Sequence, residues 1–185
     1  MNSHFFVEQN HQETLGEIVV SQERIIRRVG ELGNEISRDY EGRSPLLVGV
    51  LKGAAFFAAD LARHVSLPVG VDWIRASTYG MGDTTDGTVR ILGDVSQDPA
   101  GRDVILVEDI VDSGLTLHHL VSHFKGLGAD SVEICSLLRK PKSLRHPVQV
   151  EYVGFDIDVH WVAGNGIDYA DRHRNLPDIR EVRTG

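Results

Sequence analysis

Cys135 is the only thiol among 185 residues, so no internal disulfide can staple the fold and stability has to come from a buried core. It lies in the apolar run Val132-Glu-Ile-Cys-Ser-Leu-Leu138 and reads as a small core residue rather than a nucleophile. Cations are also scarce: 19 Lys and Arg stand against 27 Asp and Glu, a formal net charge of -8. Such a chain lacks the basic face that a polynucleotide demands, so neither nucleic acid nor a membrane is an expected partner. A local basic site for a small anion stays open. No apolar run approaches the ~20 residues that cross a bilayer. The N-terminus lacks the basic start and apolar stretch of a signal peptide, and the cytoplasm is the expected compartment. Repeats, low-complexity tracts and linkers are missing, which predicts one domain over residues 1–185. The histidines, His118-His119 included, show no metal-ligand spacing. No G-x-G-x-x-G turn follows the first apolar strand, which argues against a dinucleotide-dependent oxidoreductase.

What is present is an alternation of strand and helix signals. Ser21 reads as an N-cap, with Glu23 in the first turn and Ile25, Val29, Leu32 and Ile36 at helical spacing. That helix is expected to end near Tyr40-Glu-Gly42. Leu46–Leu51 predicts a strand, Lys52-Gly53 a tight turn and Ala54–Val65 a helix. Strands follow over Val69–Ala76 and Val89–Leu92, separated by a polar, glycine-rich stretch, Thr78–Thr88, that reads as a loop. Asp103–Val107 has the β-branched, apolar character of a strand buried on both faces. Thr116–Leu127 predicts a helix with Leu117, Leu120, Val121 and Phe124 on one stripe, and Gly128 where a C-terminal glycine belongs. Val132–Leu138, Val150–Ile157 and Trp161–Ala163 are further strand candidates. Residues 1–20 carry few signals beyond Phe5, Phe6 and Val7. Repeated strand–helix alternation implies an α/β fold, a parallel twisted sheet flanked by helices.

Ligands of such sheets bind beyond the carboxyl ends of the strands, which directs attention to the segment after Val107. Glu108 and Asp109 read as adjacent carboxylates at a strand end, suited to Mg²⁺ directly or through its waters and a sugar diol. Asp112-Ser-Gly-Leu-Thr116 then opens a helix, whose free N–H groups and positive dipole end favour a phosphate. Gly114 permits close backbone approach, Ser113 and Thr116 add hydroxyls, and Asp112 stands at the mouth as a candidate base. A capped helix after a buried strand is the plainer alternative for a lone D-S-G-x-T; two acids ahead of the glycine turn favour the phosphate site.

Val104–Thr116 resembles the phosphoribosyl pyrophosphate signature of type I phosphoribosyltransferases, and Val107-Glu-Asp-Ile-Val-Asp-Ser-Gly-Leu-Thr116 is similar to the hypoxanthine–guanine branch of that family. The resemblance runs from about Ser21 to Pro177. It implies the type I phosphoribosyltransferase fold, with a small hood built from the N- and C-terminal segments and a flexible lid loop. Leu51-Lys52-Gly53 resembles the family's first pyrophosphate loop, where relatives carry a non-proline cis peptide after the leucine. Ser77-Thr78-Tyr79-Gly80 and the residues after it are similar to the lid, which excludes water from a reaction that hydrolysis would spoil. Lys140, in Leu137-Leu-Arg-Lys-Pro141, matches the lysine that reads the exocyclic oxygen of the base. An ammonium only donates, so it selects a 6-oxo over a 6-amino group. Trp161-Val-Ala-Gly-Asn-Gly-Ile-Asp168 resembles the base-binding segment, with Trp161 stacking, Val162 offering main-chain groups and Asp168 serving a second Mg²⁺ through water. Arg174 matches the arginine that holds pyrophosphate.

The resemblance therefore implies a purine-salvage transferase. It would take phosphoribosyl pyrophosphate and a 6-oxopurine base, with Mg²⁺ as cofactor, and work as a dimer or tetramer of identical chains. Asp112 would be the general base. Lys52, Gly53, Thr78, Tyr79, Ser113, Gly114, Leu115, Thr116, Lys140, Trp161, Val162 and Arg174 would bind substrate, and Glu108, Asp109 and Asp168 would serve the metal. Departures fall at Trp161, usually phenylalanine in relatives, at Asn165, often tyrosine, and at Leu115, often polar. They bear on base preference more than on activity.

Overall fold

The structure, a computed structural model, describes residues 13–79 and 87–184. Phe5, Phe6 and Val7, and the part of the expected lid from 80 to 86, lie outside the described residues. The chain runs β1 (Glu13–Val20), α1 (Gln22–Asp39), β2 (Leu46–Leu51), α2 (Ala55–His64), β3 (Gly70–Tyr79), β4 (Thr88–Gly93), β5 (Asp103–Val111), α3 (Leu115–Gly126), β6 (Ser131–Arg139), β7 (Tyr152–Asp156), β8 (Val162–Ala163) and β9 (Ile179–Thr184). Six strands form the central sheet in the order β4-β3-β2-β5-β6-β7. All neighbours in it are parallel except β3 and β4.

Period-two alternation assigns each face of that sheet its helices. Leu47, Ile105, Val107 and Leu137 pack with Ile25, Val29, Leu32 and Ile36 of α1 and Phe57 and Leu61 of α2. Leu46, Val48, Val50, Val104 and Leu106 pack with Leu117, Leu120 and Phe124 of α3. A strand buried on both faces must be apolar throughout, which is what β2 and the first part of β5 are. Ser21 caps α1 by accepting a hydrogen bond from Arg24 N at 3.4 Å, as the sequence predicts. Cys135 is fully buried, and burial pushes its thiol pKa up, so it is a core residue.

Two expectations are corrected. β5 does not stop at Val107: its ladder with β6 continues to Val111, opposite Arg139. Glu108 and Asp109 therefore sit inside a paired strand and not at its end. Thr78 and Tyr79, read as the start of a loop, close β3 and pair with Val89 and Thr88. The ends of the chain build a second, three-stranded sheet, β1-β9-β8, antiparallel throughout, which residue patterning alone did not reveal. No described helix is long and apolar enough to cross a membrane.

Candidate active site

The carboxyl ends of β2, β3 and β5 and the start of α3 surround a cavity of about 480 Å³. Its lining includes Gly53, Thr78, Glu108, Asp109, the whole run Asp112–Thr116, and Asp168. The floor follows from backbone geometry. Gly114 is the N-cap of α3 with φ +80 and has no side chain of its own to cap the helix. Only glycine takes that angle without cost, and a helix start with a glycine cap leaves N–H groups of its first turn for an anion. Ser113 Oγ accepts from Leu115 N at 3.4 Å. The turn is held from behind, because Ser113 O accepts from both Arg145 N and His146 N at 3.0 Å.

Glu108 and Asp109 form one wall. Burial, reinforced by the Asp109 charge, pushes the Glu108 carboxyl well above the ordinary range, and burial raises Asp109 too. A Cβ added to Gly53 would run into the Asp109 carboxylate, so the close approach of the 51–53 turn requires glycine. The peptide Leu51–Lys52 is cis, as the resemblance implies. Among the described residues no three of His, Cys, Asp and Glu come together as a ligand set. Asp168 lies on the cavity, but its carboxylate is engaged by Arg174 Nη2 at 2.6 Å and Asp171 N at 2.7 Å.

A second cavity of about 640 Å³ adjoins the first and shares Asp112 and Ser113 with it. Lys140, Lys142, Arg145, Asp158, His160 and Trp161 also line it. Lys140 is buried; its ammonium donates to Asp112 Oδ2 at 3.1 Å and to the His160 carbonyl at 2.7 Å. An ammonium has three donors, so one remains for an incoming acceptor. Trp161 is 46% exposed and is braced edge-on by His160 and Tyr169, with ring centroids 4.8 and 5.7 Å away. That leaves an indole surface free to stack. Val162 is buried in β8, paired with Glu181, and is not among the residues lining either cavity.

Lys52 and Arg174 converge at the rim. Lys52 Nζ lies 3.2 Å from both Asp171 oxygens; Arg174 Nη2 lies 3.0 Å from Asp171 Oδ1, and Nη1 donates to Gly166 O at 2.8 Å. Arg174 and then Lys52 hold the Asp171 carboxyl below its usual value. Sequence reasoning did not single out Asp171, Lys142, Arg145, Asp158 or His160. The basic run Arg139-Lys-Pro-Lys-Ser-Leu-Arg145 was a visible signal for the second cavity. Asp171 carried none, since its lysine partner is 119 residues away.

A strand-end cavity whose floor is a glycine-capped helix start and whose wall is an adjacent acid pair defines a class of protein, and a family model described as "Phosphoribosyl transferase domain" matches residues 16–170. The hypoxanthine-guanine phosphoribosyltransferase of Bacillus subtilis is 41% identical over 162 residues, 88% of this chain and 90% of that protein. A crystal structure of a Bacillus anthracis hypoxanthine-guanine phosphoribosyltransferase superposes with a TM-score of 0.87 at 41% identity, covering 94% of this chain and 100% of that one. The bifunctional TilS/HprT protein of Listeria monocytogenes strain F2365 is 43% identical over 88% of this chain, which spans only 25% of its length. The chain belongs to the hypoxanthine-guanine phosphoribosyltransferase branch of the phosphoribosyltransferase family.

Proposed function

We propose that the chain transfers the 5-phosphoribosyl group from phosphoribosyl pyrophosphate to N9 of hypoxanthine, and of guanine as well, giving IMP or GMP and pyrophosphate. The names of its relatives support this. The observation that carries it is the meeting of the two cavities at Asp112 and Ser113. A sugar phosphate seated on the Gly114 turn and a base stacked on Trp161 would face each other across Asp112.

In this reading the anomeric C1′–O bond to pyrophosphate breaks and a C1′–N9 bond forms with inversion. The transition state is cation-like at the sugar, so catalysis rests on holding the base in line and stabilising the departing anion. Ser113–Thr116 hold the 5′-phosphate. Gly53, Lys52 and Arg174 face the pyrophosphate, and Thr78 and Tyr79 flank it. Asp112 accepts the N7 proton of the base, held in place by the Lys140 ammonium at 3.1 Å. The third Lys140 donor reads the exocyclic oxygen, Val162 offers main-chain groups to the base edge, and the sheet β1-β9-β8 serves as the hood of one domain.

Mg²⁺ fits the residues present. Glu108 is buried and Asp109 half-buried beside it, neither has a salt-bridge partner among the described residues, and such an adjacent acid pair suits an ion that keeps its waters and takes substrate oxygens. They would hold one ion, with Asp168 serving a second through water. When bound, the ion supplies positive charge to the diphosphate. The setting is the cytoplasm, and the active form a dimer or tetramer.

The test is Asp112→Asn in a steady-state assay with hypoxanthine. kcat should fall about 10²- to 10⁴-fold, the range for losing a general base, while the KM for phosphoribosyl pyrophosphate changes little. An unchanged kcat would sink the assignment of Asp112.

A further inference from the structure

Lys52 and Arg174, the two cations assigned above to the pyrophosphate, are paired in this structure with the same exposed carboxylate. Asp171 takes the Lys52 ammonium symmetrically on its two oxygens and the Arg174 guanidinium on Oδ1. The loop that presents it is built to do so. Ala170, Asp171 and His173 all have positive φ, at 51°, 59° and 70°, a region that non-glycine residues rarely enter. Several anchors hold the loop there. Asp171 N donates to Asp168 Oδ2, Arg174 grips Gly166 O, and Glu13 of β1 pairs with Arg172 and His173 at 3.2 and 2.9 Å. Gly166 in turn packs so closely on the Gly53 carbonyl that a Cβ there would overlap it. This brings the loop against the turn that carries Lys52.

From this geometry we propose that Asp171 is a positioning residue for the transfer, an internal anion that holds Lys52 and Arg174 in place and yields them to pyrophosphate. The inference rests on the functional reading above. Magnitude decides that the pairs can yield. Asp171 is 67% exposed and Lys52 58%, and water screens such exposed pairs until they are weak; Arg174 is more sheltered and keeps Asp168 as a second partner at 2.6 Å. A diphosphate brings more negative charge than one carboxylate and reaches both cations at once, so it wins the exchange. The same competition opposes binding and eases departure of the product, so Asp171 sets how firmly pyrophosphate is held.

The experiment is calorimetric titration of the full chain with inorganic pyrophosphate in Mg²⁺ buffer at two ionic strengths, comparing wild type with Asp171→Asn and Asp171→Gly. Asparagine and glycine tolerate a φ of +59°, so both variants remove the charge and keep the loop. Pyrophosphate should bind about 3- to 10-fold tighter to each, the effect of releasing the exposed Lys52 pair and one of the two carboxylates on Arg174. Its affinity should fall more steeply with salt, since one more positive charge is unmasked. A merely structural role would not steepen that dependence. Affinity that is unchanged or weaker in both variants would overturn the proposal. Phosphoribosyl transfer by the wild type is measured alongside. If it is absent, the functional reading fails; if it is present and the variants bind no tighter, only the role of Asp171 fails.

Discussion

At Gly53 the demand on a single residue is steric and not conformational. The 51–53 turn passes so close to Asp109 that any Cβ meets the carboxylate. Gly53→Ala should displace Asp109, or the turn itself, by the better part of an ångström. Misplacements of that order cost about 100-fold in rate. The expected outcome in a steady-state assay is a drop in kcat/KM of about that size, with the far-ultraviolet circular dichroism unchanged; full activity would mean that the turn is free to move. Asn165 shows the opposite kind of demand. Its φ of 48° suits asparagine better than most side chains, a local reason for the residue found where relatives often carry tyrosine.

At the scale of elements, β5 and the turn before it fix the site. β3 is tied to that turn through Asp72, whose carboxylate accepts from Trp73 N, Ser96 N, Ser96 Oγ and Gln97 N. Burial alone would raise this carboxyl, but the donors on Gln97, Trp73 and Ser96 together hold it below the ordinary aspartate value. A depressed folded-state pKa stabilises the fold above the unfolded value, and that contribution is lost as pH falls through the folded one. Asp72→Asn should therefore cost about 2 kcal/mol at neutral pH. In urea titrations its gap from wild type should narrow on acidification below about pH 4. A gap independent of pH would show that the carboxylate charge contributes nothing. The helices and buried strands were legible because each follows a local period. The length of β5 was not, since two acids after Val107 look like a strand end, and only pairing with β6 carries the ladder to Val111. β1 was illegible for a related reason: its burial does not alternate, and its partner β9 lies at the other end of the chain.

Across the whole molecule, the residues named from sequence, Tyr79 and Val162 apart, divide into three places. Gly53, Thr78, Glu108, Asp109, Asp112–Thr116 and Asp168 line one cavity, and Lys140 and Trp161 join Asp112 and Ser113 around the next. Lys52 and Arg174 meet at the rim. The segment 108–116 could be read because consecutive residues carry its chemistry. The contacts Lys140–Asp112 and Lys52–Asp171 could not, because folding alone brings their partners together across 28 and 119 residues. The central claim, transfer of a phosphoribosyl group to a 6-oxopurine, is tested most directly by a panel of free bases. Purified protein is given phosphoribosyl pyrophosphate with hypoxanthine, guanine, xanthine, adenine or uracil, with Mg²⁺ and with a chelator, alongside Lys140→Ala. The account predicts Mg²⁺-dependent nucleotide formation from hypoxanthine and guanine, little or none from adenine and uracil, and loss of that preference in the variant. Turnover of adenine or uracil in preference to hypoxanthine, or no turnover of any base, would contradict it.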